Sequence, residues 1–96
     1  MPVTLQVTLP AGGKTQISTR GIDYKQIVIQ NNTASNIVRA GDSSIVAGAY
    51  GVGKGLIITS GSSFNSGPSD IKAGTLSEWW LAGTAADVID VTYMQD

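Results

Sequence analysis

Residues 88–94, with the sequence VIDVTYM, alternate large apolar side chains with polar ones, and this alternation decides the fold class. Successive side chains of a β-strand point to opposite faces. Ile89, Val91 and Tyr93 therefore share one face, and the polar residues between them occupy the other. The stretch predicts a strand with one buried face and one solvent-facing face.

The same signal recurs along the chain. Residues 3–9 (VTLQVTL) alternate in the same way, and residues 25–30 (KQIVIQ) are rich in β-branched side chains. The predicted strands cover residues 3–9, 15–19, 25–30, 37–40, 45–47, 56–59, 76–81 and 88–94, separated by turns rich in Gly, Asn and Ser. No segment has helical spacing over ~11 residues. We therefore predict an all-β fold, a single antiparallel β-sandwich or jelly-roll-like domain.

The length and composition indicate how the domain is used. We expect one β-sandwich domain over residues 1–96, in which 1–16 forms either an additional strand or an arm that adds to a neighbour's sheet edge. Only 14% of the residues are charged, against ~25% in typical globular proteins. A surface with little charge repels copies of itself weakly, so the composition favours a protein that contacts itself or a partner.

The sequence lacks the residues that several functional classes need. The sequence has no cysteine and no histidine, which excludes disulfides, thiolate zinc sites and catalysis by Cys or His. Its six basic residues are scattered, so we expect no nucleic-acid partner. No apolar run approaches the ~20 residues that cross a membrane, so we expect no membrane partner.

The seven acidic residues also have a simple structural interpretation. Asp42 and Asp87 lie in predicted turns, where an aspartate side chain accepts hydrogen bonds from nearby backbone. The others form no pair or spaced loop that indicates glycosidase or calcium chemistry. We therefore predict solvated turn carboxylates, no catalytic residue, no metal, no cofactor and no enzymatic activity.

Residues 48–55 (GAYGVGKG) match the first seven positions of a phosphate-binding P-loop. A P-loop continues with Ser or Thr after its lysine and leads into a helix. Here Gly55 follows Lys54, and residues 56–59 predict a strand. We interpret the segment as a flexible glycine loop.

Two adjacent tryptophans distinguish the strand predicted at residues 76–81. Neighbouring residues of a strand point to opposite faces, so only one of Trp79 and Trp80 enters the core. Trp80 shares its face with Glu78. We therefore predict that Trp79 is inside, together with Leu81, and that Trp80 is outside.

The exposed aromatic side chains are the candidate binding residues. Trp80 and Tyr50 suit a protein interface, where Trp is enriched, but packing at the core rim and stacking on a sugar are alternatives. We predict a protein interface that contains Trp80 and Tyr50, together with Val3 and Leu5 of the exposed first strand.

Three stretches together resemble a known class of proteins. They are IVIQNNTASNIVRAGDSS at 27–44, KGLIITSGSSF at 54–64 and LSEWWLAGTAADVIDVTYM at 76–94. This pattern of strands and turns resembles the small β-sandwich virion proteins of tailed bacteriophages over residues 26–94. Two tryptophans fill the position after Leu-Ser-Glu where that family has one aromatic or aliphatic residue.

The resemblance implies a function but transfers no functional residue by motif. It implies a non-enzymatic capsid decoration (cement) protein on the surface of a phage head, a homotrimer that contacts the major capsid protein and stabilises the shell. The alternative that it implies is a head-fibre or tail-associated module that binds a receptor or carbohydrate.

Overall fold

A computed structural model describes residues 2–48, 51–67 and 73–95. Within these ranges the chain forms ten β-strands and one turn of 3-10 helix at Leu76–Glu78. The strands are β1 Pro2–Thr8, β2 Lys14–Gln16, β3 Asp23–Tyr24, β4 Gln26–Asn31, β5 Val38–Gly41, β6 Leu56–Ile58, β7 Ser63–Ser66, β8 Gly74–Thr75, β9 Trp80–Ala82 and β10 Val88–Met94.

The strands pair in a nested order. β1 pairs with β10, β2 with β9, β3 with β8, β4 with β7 and β5 with β6, and every pair is antiparallel. The chain is therefore one long antiparallel ribbon that begins at the two ends of the domain and closes at the β5–β6 connection. Wrapping this ribbon places β4 beside β10 and β5 beside β9, again antiparallel. A wrapped ribbon of this kind is a jelly roll.

The wrapping produces two four-stranded sheets. Sheet A has the strand order β1-β10-β4-β7, sheet B has the order β2-β9-β5-β6, and β3 and β8 form a separate two-stranded sheet. The predicted fold class, an all-β antiparallel sandwich with jelly-roll-like character, is confirmed.

The core lies between sheets A and B and follows the predicted alternation. Along β10, Ile89 and Val91 are fully buried and Tyr93 is nearly so, whereas the residues between them are half-buried. Ile27 and Ile29 of β4 face the same core and are completely buried. Burial of each such side chain stabilises the fold by about 1.5–3 kcal/mol relative to exposure. The other core members are Leu9, Ile17, Tyr24, Val38, Ala40, Ile58, Leu76 and Leu81.

The strand predicted at residues 76–81 is wrong in its first half. Residues 76–78 form a 3-10 turn, closed by a 3.1 Å hydrogen bond from the Trp79 amide to the Leu76 carbonyl. A second bond of 2.8 Å joins the Leu76 amide to the Ile22 carbonyl, and the Leu76 side chain is fully buried. The turn places Leu76 in the core and lets the strand begin at Trp80.

Other boundaries also differ from the sequence prediction. The strand predicted at 45–47 is reduced to one isolated bridge between Val46 and Lys54. β7 lies in a region predicted to be a loop, because Ser and Asn have low β propensity, yet it pairs with β4 along the sheet edge. Asp87 was predicted to be solvated, but it is only 6% exposed, because its carboxylate accepts bonds from the Thr84 amide and the Asn36 side chain.

Candidate interaction surfaces

The first candidate surface is the outer edge of β1. This seven-residue strand is at the edge of sheet A and pairs with β10 on one side. The side chains of Val3 and Leu5 are half-buried and pack against the core, while Thr4 and Gln6 are exposed. Val3 and Leu5 therefore lie at an open edge, as an interface requires, but their side chains face inward. Their role in an interface stays a prediction.

The two tryptophans lie as predicted relative to the core. Trp79 is half-buried against the core and Leu81 is completely buried. Trp80 is half-buried outside the core cluster, and the Lys14 Nζ lies 5.7 Å from its ring centroid, within cation–π range. Contact with Lys14 covers part of the indole, so Trp80 is a rim residue. Tyr50 lies outside the described residues.

The second candidate surface is the connection between β5 and β6, of which residues 45–48 and 51–55 are described; we call these residues the glycine hairpin. The Val46 and Lys54 backbones exchange hydrogen bonds of 3.0 and 2.9 Å. Arg39, only 5% exposed, donates from Nε to the Gly48 carbonyl and from Nη1 to the Gly55 carbonyl, at 2.9 and 2.7 Å. The predicted flexible loop is thus anchored at both of its ends by one buried guanidinium.

The glycine hairpin and the start of β6 expose apolar side chains. Among the described residues, the exposed large hydrophobic side chains are Val46, Val52 and Leu56, at 53%, 78% and 45% exposure. All three fall within eleven residues of sequence. Isolated surface hydrophobics are ordinary, but the concentration of all three in one short segment makes that segment a candidate contact surface. The sequence analysis did not predict this group, because the glycines between the three residues prevent a regular spacing of apolar side chains. The signal in the sequence was three large aliphatic residues in a segment without acidic residues.

The third candidate surface is a 320 Å³ cavity, which we call the acidic cavity. Its walls include the side chains of Tyr24, Asp42, Ser66, Glu78 and Trp79. Asp42 and Glu78 are the charged groups among its described walls, and both are carboxylates. Their distance along the chain explains why the sequence did not associate them: β5 and the 3-10 turn meet only in the folded sandwich.

Local hydrogen bonds lower the pKa of Asp42. The Ser44 hydroxyl and the Ser44 amide both donate to Asp42 Oδ1, at 2.5 and 2.9 Å, and lower the pKa of this carboxyl below its usual value of 3.8. The charges of Lys54 and Lys14 lower the pKa further. This is the turn role predicted for Asp42, and it leaves a carboxylate at the cavity mouth at neutral pH.

The described residues offer neither a metal-binding cluster nor a membrane-spanning helix. Across residues 2–48, 51–67 and 73–95, no group of three or more His, Cys, Asp or Glu side chains is arranged to hold a metal ion. In the same ranges, no helix is long and apolar enough to cross a membrane.

Comparison with known proteins provides one structural neighbour. No protein-family model and no curated protein matches the chain. A solved chain from Bacillus endospore appendages, described as a novel family of disulfide-linked pili, is similar over 100% of this chain and 87% of that chain, with 17% identity and a TM-score of 0.45. The present sequence contains no cysteine, so a disulfide link to a neighbour is not open to it.

The function implied by the phage resemblance is wrong. The structural neighbour is an endospore pilus protein and not a phage capsid protein, which contradicts both the capsid decoration function and its head-fibre or tail-associated alternative. The major capsid protein as partner and the location on a phage head are separate expectations that neither the structure nor the comparisons test, and they stay predictions. The resemblance rested on strand-and-turn patterns, which β-sandwiches of different function share.

Proposed function

We propose that this chain is a non-enzymatic structural β-sandwich that assembles with copies of itself through the outer edge of β1. The observation that carries the proposal is the combination of length, exposure and lack of charge in this edge strand. β1 has seven residues, PVTLQVT, none of them charged, and within the described part of the chain it pairs only with β10.

An edge of this kind favours pairing with another strand. Its outward N–H and C=O groups are exposed to water, and a second strand satisfies them with a ladder of hydrogen bonds. Monomeric proteins commonly protect such edges with Lys, an inward charge or a bulge. In β1 the only residue that disfavours pairing is Pro2, at the first position of the strand.

Composition supports the same proposal. The net charge of −1 and the low charged fraction produce little repulsion between copies. Val3, Leu5 and Val7 are each half-buried, so an added strand would cover apolar surface that the monomer leaves wet. Pairing between two β1 edges stops at two copies, so three copies per assembly, the stoichiometry that we propose to test, requires a second contact between copies as well.

Two matched variants test the proposal in solution. Thr4 and Thr92 share a 3.1 Å hydrogen bond between their hydroxyls, but Thr4 is on the edge strand and Thr92 is on the interior strand β10. Thr4→Lys and Thr92→Lys both remove this bond, whereas only Thr4→Lys places a charge on the edge. Sedimentation velocity over a concentration series measures the association constant of each.

We expect the parent chain to associate and Thr4→Lys to weaken association by about tenfold or more, since like charges meet across the paired edges. Thr92→Lys should stay within about threefold of the parent, the scale of a small surface change. A parent that stays monomeric up to millimolar concentration would refute self-assembly. Equal effects of the two variants would refute the β1 edge as its site.

A further inference from the structure

We propose that the glycine hairpin of one copy docks into the acidic cavity of a second copy, with Lys54 of the first beside Glu78 of the second. The inference rests on the proposed self-assembly and names for it a contact that does not involve β1. Its elements are an apolar segment whose described residues carry one positive charge, Lys54, and a cavity whose described walls carry two carboxylates, Asp42 and Glu78.

The glycine hairpin and the adjoining Leu56 expose apolar side chains to water. Val52 is 78% exposed, and Val46 and Leu56, at 53% and 45% exposure, lie in the same eleven-residue segment. The segment that contains them has a single charged residue, Lys54. Covering these side chains in an interface gains about 25 cal/mol per Å² of apolar area removed from water.

The glycine hairpin is also held in place before any partner binds. Arg39 bonds to two carbonyls of the glycine hairpin, those of Gly48 and Gly55. Gly53 allows this approach, because a Cβ at this position would lie 2.9 Å from Arg39 Nε and 2.6 Å from the Val46 carbonyl oxygen. A segment that is ordered in the free protein loses less conformational entropy on binding than a flexible loop.

The acidic cavity has the complementary chemistry. Its volume of 320 Å³ is at the lower end of the ~300–1,000 Å³ range of binding pockets. Trp79 provides an aromatic wall, and aromatic rings attract ammonium groups. The Glu78 carboxylate makes no hydrogen bond or ion pair within the described part of the chain, so it is free to pair with an incoming ammonium.

Charge indicates which of two surface cavities receives the glycine hairpin. A second cleft, of 410 Å³, is lined by small, hydroxyl, amide and backbone groups such as those of Ser35, Asn36 and Thr84, and has no charged residue in its described lining. Of these two clefts, the acidic cavity is the one whose described lining complements Lys54. Lys54 of the same copy already acts electrostatically on Asp42, so Glu78 is the carboxylate left for a neighbour.

A contact between two different surfaces has a structural consequence. The contact between the glycine hairpin of one copy and the acidic cavity of another is heterologous, because it joins two different surfaces. Each copy can therefore bind one neighbour through its hairpin and a second neighbour through its cavity. Such contacts close into rings when the rotation between copies allows it and otherwise extend into filaments. Both products are compatible with a structural role for the full chain.

Charge exchange between the two surfaces tests the contact. The variants are Lys54→Glu, Glu78→Lys and the double variant, with Arg20→Glu as a control that changes an exposed cation outside both surfaces. Sedimentation velocity of the full chain gives the association constant for each. Each single charge reversal should weaken association by about tenfold or more, because like charges then face each other, and the double variant should recover to within about threefold of the parent.

The apolar part of the contact has its own variant. Val52→Asp should weaken association by about tenfold or more, since it places a charge against Glu78 and Trp79 of the neighbour. Circular dichroism on every variant separates a lost contact from a lost fold. Arg20→Glu should match the parent.

The inference fails if the single charge reversals leave association within about twofold of the parent, or if the double variant stays as weak as they are. If Thr4→Lys dissociates the assembly while these variants do not, self-assembly stands and this contact is refuted. If the parent itself does not associate, both proposals are refuted together.

Discussion

The indole Nε1 of Trp79 donates a 2.6 Å hydrogen bond to the phenolic oxygen of Tyr24. Tyr24 is 4% exposed, and Trp79 packs against the core with its ring centroid 5.5 Å from that of Phe64. The bond satisfies the one polar atom that an inward tryptophan brings with it. It joins β3 to the residue just before β9 and so forms one wall of the acidic cavity.

The first prediction concerns this bond. Tyr24→Phe should lower the free energy of unfolding by about 1–2 kcal/mol, because it leaves the indole N–H without its acceptor. Tyr93→Phe is the matched control, since Tyr93 is similarly buried at 5% exposure but its hydroxyl makes no hydrogen bond within the described residues. Urea unfolding measures both. Equal losses would show that the Trp79–Tyr24 bond contributes nothing specific.

The second prediction concerns Asn31, a completely buried amide at the end of β4. Its Nδ2 donates to the carbonyls of Asn36 and Ile58 at 2.7 and 2.8 Å, and its Oδ1 accepts from the Thr33 amide at 3.0 Å. Asn31→Ala should cost about 2–4 kcal/mol, since it removes one buried and two part-buried hydrogen bonds to the backbone. The exposed neighbour variant Asn32→Ala should stay within about 0.5 kcal/mol of the parent. Denaturant titration that ranks the two variants equally would contradict this role.

The third prediction compares two glycines. At Gly53 an added Cβ would lie 2.6 Å from the Val46 carbonyl oxygen, whereas at Gly12 it would meet nothing within 4 Å. Gly53→Ala should destabilise the protein by more than about 1 kcal/mol, and Gly12→Ala should be neutral or stabilising by up to about 1 kcal/mol. Thermal unfolding measures the difference. Hydrogen exchange at residues 46 and 54 should rise only in Gly53→Ala; unchanged exchange there would contradict a fixed glycine hairpin.

The fourth prediction concerns pH. Hydrogen bonds from the Ser44 hydroxyl and amide lower the pKa of Asp42 below 3.8 in the folded protein. The folded state therefore favours the ionised carboxylate of Asp42 more than the unfolded state does. The resulting contribution to the free energy of unfolding is complete above the unfolded pKa, and it is lost as the pH falls through the lower folded pKa. The stability difference between parent and Asp42→Asn should thus begin to shrink near pH 3.8 and disappear as the pH falls through the lower folded pKa.

The Ser44→Ala variant is the control for the pH effect. Ser44→Ala removes the hydroxyl donor, which is the largest cause of the shift, and keeps the amide donor. Carbon-detected NMR titration should show the pKa of Asp42 rising toward 3.8 in this variant. An unchanged titration would assign the shift to the backbone bond and the lysines instead.

Much of the sandwich follows from local patterns in the sequence. The alternation at residues 88–94 predicts β10 with its bounds and its buried face, because the inward positions carry Ile89, Val91 and Tyr93. The strand at residues 76–81 was predicted too long, because Leu76 enters the core from a 3-10 turn, and nothing local distinguishes this from a strand position. β7 was missed because a segment as polar as SFNS forms a strand only when β4 offers it an edge.

The all-β class, the inward face of the main strands and the absence of Cys and His chemistry follow from the amino-acid sequence, because side-chain period and residue type act locally. The tertiary structure decided which strands pair, that β1 is left at an edge, and that Asp42 and Glu78 line one cavity. It also decided that Arg39 holds the glycine hairpin. These relations join residues far apart in the chain, and only the wrapping of the ribbon, driven by burial of both inner faces, brings them together.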